Sequence, residues 1–301
     1  MSGAIRTAGL RKTYGRTVAL DDLDLEVGVG EVHGFLGPNG AGKSTTLRIL
    51  LGLARADAGT VEVLGADPWR DGPRLPRRLA YVPGDVNLWP NLSGGEAIDL
   101  LARLRGHGGT TAFQRERARL LDVFELDPRK KGRSYSKGNR QKVALVAAFA
   151  CPAALLVLDE PTSGLDPLME VVFQRELHRV REHGTTVLLS SHILSEVEQV
   201  CDRVSIIRAG KVVETGTLDD LRHLTRTQIS FADPGAELSL PSRYDIERRD
   251  GRVRFTVDTA EVASVLPDLG AAHVTGLRIE PASLEELFLR HYGERVEDER
   301  R

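Results

Sequence analysis

Apolar residues along this chain follow two patterns that take turns. Leu155-Leu-Val-Leu158 and Thr186-Val-Leu-Leu189 are short runs without a polar break, as strands buried on both faces of a parallel sheet must be. Glu31–Leu36 is a similar short strand, and a Gly-rich loop separates it from a helix expected over about 43–53. Thr60–Leu64 alternates apolar and polar like a half-buried strand. From about 84 to 132 the pattern turns helical, with helices expected over 96–105 and 112–124. A further helix running to Ala150 completes an insert over about 84–153. Strands alternating with helices predict an α/β fold with a largely parallel sheet.

The character changes beyond Leu224, so the domains are expected at 1–225 and 226–301. Strands are expected at 228–231, 244–248, 252–257 and 274–279, and a helix at 259–266. Asp250-Gly251 between two of these strands favours a hairpin turn. Ser283 and Glu286 are spaced as a capping box for a last helix, which places Leu284, Leu287 and Phe288 on one face. The second domain is thus expected to be a small α/β unit.

Composition then narrows the classes. The 301 residues are 41% apolar and 28% charged with a formal charge of −2, which describes an ordinary globular protein with no bulk electrostatic attraction to nucleic acid. The longest apolar run, Val143–Leu158, is interrupted by Pro152 and falls short of the roughly 18 residues that mark a membrane span. The N-terminal residues show no apolar signal-peptide core. Cys151 and Cys201 form no framework and fit a reducing cytosol, and no set of histidines and cysteines has zinc-ligand spacing.

Candidate chemistry begins at Gly37-Pro38-Asn39-Gly40-Ala41-Gly42-Lys43-Ser44, followed by Thr45. This is a phosphate-binding loop pattern between an expected strand and an expected helix. Backbone amides and a helix N-terminus attract phosphate oxygens there, Lys43 can reach the outer phosphates, and the Ser44 hydroxyl can ligate Mg²⁺. Downstream, the strand 155–158 delivers Asp159 and Glu160 at its C-terminal end, where sites in α/β folds lie. Asp159 suits Mg²⁺ and Glu160 suits the polarisation of an attacking water.

With these residues in place, about 4–220 resembles the nucleotide-binding subunit of ABC transporters. The resemblance implies a P-loop NTPase core with an N-terminal antiparallel β subdomain and a helical insert, and ATP and Mg²⁺ as its substrate and cofactor. Tyr14 lies where that family stacks an aromatic on adenine. Ser136-Lys137-Gly138 lies at its signature loop, Ser163-Gly-Leu-Asp166 at its D-loop, and Ser191-His192 at its switch histidine. The resemblance further implies a homodimer clasping two ATP molecules. Each site would use Tyr14, the 37–45 loop, Asp159, Glu160 and His192 of one copy with Ser136 and Gly138 of the other. Glu280–Leu289 is similar to the ending of daunorubicin-resistance-type subunits. That implies a bacterial exporter subunit acting with ABC-2-type membrane permeases at the cytoplasmic face of the plasma membrane, in efflux of a hydrophobic drug or antibiotic, and without nucleic acid.

Three departures qualify the pattern. Lys137 replaces the signature's first glycine, and a lysine disfavours a positive φ. Gly84-Asp85 stands where the family has a glutamine, leaving Asp85 as a candidate metal ligand, with Asn87 as the alternative. Leu92-Ser-Gly-Gly-Glu96 looks more like the usual signature than the true one, but its position fits a helix cap at Ser93, in the segment facing the membrane partner. The alternative is a soluble ABC-type ATPase acting on nucleic acid or another non-transport target. Such chains carry two nucleotide domains or a long coiled coil, and this one has a single phosphate loop and no sustained heptads.

Overall fold

The computed structural model describes residues 3–71, 75, 77–223, 226–233, 244, 246–258 and 261–280. The helix expected after Ser283 lies outside the described residues. The chain divides into two compact units, Met1–Thr215 and Gly216–Arg301.

The first unit opens with β1 (Ile5–Tyr14), β2 (Thr17–Val27), β3 (Val32–Leu36), α1 (Lys43–Leu50), β4 (Ala58–Val63) and β5 (Leu79–Val82). The insert then supplies α2 (Gly94–Leu104), α3 (Thr111–Val123) and α4 (Lys137–Phe149). The chain returns as β6 (Leu155–Asp159), α5 (Pro167–Glu182), β7 (Thr186–Ser191), α6 (Leu194–Val200), β8 (Arg203–Arg208) and β9 (Lys211–Thr217).

The main sheet has the order β5-β6-β7-β3-β8-β9. Neighbours from β5 through β8 run parallel. Every residue of β3, β6 and β7 is buried, which accounts for their unbroken apolar runs. An antiparallel sheet β2-β1-β4 forms the second layer. Ile5 and Leu23 of that sheet, Leu47 and Leu50 of α1, and Phe35, Val157 and Leu188 of the main sheet share one core. The apolar run 143–158 thus resolves into the end of α4, a turn at Pro152 and the strand β6.

The second unit contains α7 (Leu218–His223), β10 (Arg226–Ala232), β11 (Glu247–Arg249), β12 (Arg252–Asp258), α8 (Val262–Ala271) and β13 (Arg278–Glu280). Its antiparallel sheet has the order β11-β12-β10-β13. The hairpin turns at Asp250 and Gly251, both at positive φ as a type I′ turn requires. Two expected strands shorten here. Tyr244 packs in the core at 5.3 Å from the Phe255 ring instead of starting β11. Gly276 at φ 64 breaks the run 274–279, leaving β13 to begin at Arg278. Among the described residues no helix is long and apolar enough to cross a membrane.

Candidate functional site

The phosphate loop leaves the buried end of β3 and enters α1 through Gly42, which takes φ 114 as the N-cap of that helix. A side chain at Gly42 would be strained by that φ and would come within 2.8 Å of the Ala19 carbonyl. Gly37 N–H donates to the Ser191 carbonyl at 3.3 Å, which ties the loop to the end of β7. Lys43 is buried, and its Nζ donates to the carbonyls of Gly37 at 2.5 Å and Pro38 at 3.1 Å. Burial pulls its amine below the ordinary lysine range, while the Glu160 and Asp159 carboxylates oppose that shift. Ser44 is exposed beside it. The first amides of α1 have no partner within the helix, so they face the loop as anion donors.

Asp159 ends β6 in parallel register with Ser190 of β7. The Ser190 hydroxyl donates to Asp159 Oδ1, which fixes the carboxylate in a buried position. Glu160 adopts φ 45, a left-handed conformation costly for a residue with a Cβ, of the kind that gathers at functional sites. Its N–H donates to the Ser190 carbonyl at 3.0 Å and its carbonyl accepts from Ser163 N–H at 3.1 Å. Its Oε1 lies 3.0 Å from His192 Nδ1. The turn therefore separates the two carboxylates: Asp159 is held to the sheet and Glu160 is paired with the histidine that follows β7.

Glu196 is a residue the motifs do not mark. Its carboxylate accepts from Thr162 Oγ1 at 2.7 Å and from Ser191 Oγ at 2.8 Å. One side chain thus joins the turn after Glu160 to the residue preceding His192. Tyr81 on β5 is a second such residue. Burial first, and the Asp159 carboxylate next, push its phenol up to about 12.

Tyr14 is 47% exposed at the β1–β2 hairpin, with Lys12 Nζ 5.3 Å from its ring centroid. Gly84 lies against Asp159, where a Cβ would be 3.3 Å from the Asp159 carbonyl oxygen and 3.7 Å from its carboxylate. Asp85 is exposed and its Oδ2 accepts from Asn87 Nδ2 at 3.3 Å. Neighbouring space at Asp159 is thus left by a glycine backbone, and the Asp85 carboxylate is engaged with Asn87.

Ser136 caps α4, its Oγ accepting from Asn139 N–H at 3.3 Å. Lys137 is the first helical residue and its φ is not positive, as a lysine prefers. Its Nζ donates to Ser163 Oγ at 2.7 Å. At Gly138 a Cβ would come within 2.3 Å of the Gly164 carbonyl, a contact no side chain permits. Asp166 caps α5 by accepting from Met169 N–H at 3.0 Å. Among the described residues no hydrogen bond joins 136–138 to the phosphate loop. The structure therefore assembles Lys43, Asp159, Glu160 and His192 in one place, while 136–138 abuts the turn that follows Glu160.

The arrangement is that of a P-loop NTPase of the ATP-binding cassette class. The ABC transporter family profile matches residues 20–163. Over 98% of this chain and 94% of the relative, the sequence is 35% identical to the daunorubicin/doxorubicin resistance ATP-binding protein DrrA of Streptomyces peucetius. It is also 35% identical to the bacitracin transport ATP-binding protein BcrA of Bacillus licheniformis, over 77% of this chain and 75% of that one. The solved ATP-binding subunit of an ABC transporter superposes with a TM-score of 0.68 at 33% identity, covering 73% of this chain and 92% of its own. A dimeric post-hydrolysis cassette bound to ADP and Pi superposes with a TM-score of 0.64 at 26% identity, covering 71% and 98%. The chain belongs to the ABC transporter family as an ATP-binding, ATP-hydrolysing subunit.

Proposed function

We propose that this subunit powers a bacterial exporter for a hydrophobic drug or antibiotic, as a homodimer bound to ABC-2-type membrane permeases at the cytoplasmic face of the membrane, without nucleic acid. The observation that carries the catalytic part is the convergence of Lys43, Asp159, Glu160 and His192 at the C-terminal ends of β3, β6 and β7. The substrate and target follow the names of the relatives, which concern daunorubicin, doxorubicin and bacitracin.

In this reading the adenine stacks on Tyr14 and the phosphates lie in the 37–45 loop, with Lys43 on the outer ones. The donors beside Lys43 are oxygens, the Ser44 hydroxyl and the Asp159 carboxylate, and this hard set together with substrate phosphates suits Mg²⁺. The metal would neutralise charge on the phosphates. Glu160 orients and polarises the attacking water, and His192, held by Glu160, faces the γ-phosphate. Ser136 and the start of α4 from a second copy complete the site, with Lys137 and Gly138 at the same edge and Asp166 at the junction. ATP thus favours the closed dimer and hydrolysis releases it.

An apolar groove of about 420 Å³ lies beside β5 and the insert, lined by Leu53, Tyr81, Leu88, Trp89, Leu104 and Ala147. It supports docking of a membrane subunit, and through Tyr81 it adjoins Asp159. Glu160→Gln tests the assignment of the base. The variant is expected to bind ATP, hydrolyse it about a hundred-fold more slowly, and accumulate as a closed dimer. Wild-type turnover in that variant rules Glu160 out as the base.

A further inference from the structure

We infer that Lys137 is a positioning residue for hydrolysis: it ties the signature end of α4 to the turn after Glu160 in its own chain. The inference rests on the reading of this chain as an ATPase whose two copies complete each other's sites.

Three contacts carry it. Lys137 Nζ donates to Ser163 Oγ at 2.7 Å. The lysine stem lies over Gly164, where a Cβ would be 3.3 Å from Lys137 Cγ and Cδ. One helical turn further, the buried Gln141 Nε2 donates to the Pro161 carbonyl at 3.0 Å. Helix α4 therefore grips the 161–164 turn at both ends. That turn is closed by two internal bonds, Ser163 N–H to the Glu160 carbonyl at 3.1 Å and Leu165 N–H to the Thr162 carbonyl at 2.9 Å. A load on Ser163 passes directly to the backbone of Glu160, which already holds a strained φ.

Electrostatics agree with this role. The pair is exposed, so the ammonium donating to the hydroxyl contributes a modest but directional restraint. A glycine at 137 has neither the reach nor the donor. The consequence is a link inside each subunit between the part that serves its own nucleotide and the part that serves the partner's nucleotide. Small displacements of a catalytic group are costly, so the link acts on turnover more than on binding.

The test combines kinetics with hydrogen exchange on the nucleotide-free full chain. Lys137→Met is expected to lower kcat about ten-fold with KM for ATP unchanged within about two-fold, and Lys137→Arg to recover most of the loss. Ser163→Ala is expected to match Lys137→Met, and the double variant to add nothing further. Lys137→Met is also expected to speed amide exchange at Ser163 and Leu165. A rise in KM with unchanged exchange assigns the amine to phosphate binding and overturns the inference. Exchange is read without ATP. Absence of ATPase activity in the wild type therefore overturns the functional reading alone, while unchanged exchange overturns the tether alone.

Discussion

Two helices of the insert begin alike. Both α2 and α4 start after a serine whose hydroxyl accepts from the N–H three residues on, Ser93 from Glu96 at 3.2 Å and Ser136 from Asn139 at 3.3 Å. Both carry glycine in the first turn for lack of space. The difference lies in what fills that space. At Gly94 a Cβ would meet the Tyr135 hydroxyl at 2.3 Å, the ring whose hydroxyl donates to the Asp127 carbonyl. At Gly138 it would meet the Gly164 carbonyl, part of the turn that follows Glu160. Likewise Glu96 turns back on its own cap and on Lys131, whereas Lys137 reaches across to Ser163. The same serine–glycine start thus closes a loop in one place and joins α4 to the turn after Glu160 in the other. The sequence most like the usual signature is the one that builds only the loop.

Alanine at the two glycines should separate these roles most strongly. Gly138→Ala drives a methyl into main chain that cannot swing aside, so the turn carrying Glu160 must shift. ATPase activity of the purified subunit is expected to fall about a hundred-fold with the fold retained by circular dichroism. Gly94→Ala meets a side chain instead. It is expected to destabilise the chain by about 1–3 kcal/mol in denaturant unfolding, with ATPase activity per folded molecule kept. Equal losses of activity would erase the distinction.

Removing the caps gives a smaller contrast. Ser93→Ala and Ser136→Ala each lose one acceptor at a helix start and are each expected to cost about 1 kcal/mol. Only Ser136→Ala is expected to lower turnover, by about ten-fold, because its hydroxyl also serves the second copy's nucleotide in the proposed dimer. Parallel urea titrations and ATPase assays read both effects.

The strands that carry the candidate site were legible because each motif sits at the end of an apolar run or beyond it: Lys43 beyond β3, Asp159 as the last residue of β6 and His192 after β7. The period of apolar residues fixes such short buried strands, and the chemistry follows at their ends. Partners of those residues were not legible. Ser190 reaches Asp159 only because β6 and β7 are adjacent in register, and strand order is not written in either run. The pair Ser190-Ser191 closing an apolar buried run was the available signal. Glu196 and the contact of Lys137 with Ser163 depend on loops meeting from separate elements, and local periodicity is silent there. A lysine at 137 disfavours a positive φ, and the structure gives it none. What the replacement of glycine did not reveal is that the helix starts at the lysine itself.

The smallest expected effect is one of pH, and it belongs to α2 alone. Glu96 accepts from Ser93 N–H at 2.6 Å and from Lys131 Nζ at 3.2 Å, and these partners bring its carboxyl down to about 2 from an ordinary 4.5. A carboxyl lowered on folding stabilises the folded state above the unfolded value, and that contribution is lost as pH falls through the folded one. Helix α4 has no acidic residue in its first turn, with Asn139 at the equivalent position, so it has no such dependence. Glu96→Gln should therefore lower Tm slightly at neutral pH, and the two melting curves should converge as pH falls from 4.5 toward 2. The pair is exposed, so added salt should narrow the gap as well. A gap that stays constant through that range assigns the difference to a poorer fit of the glutamine amide in the cap, instead of to the charge that distinguishes this cap from the one at Ser136.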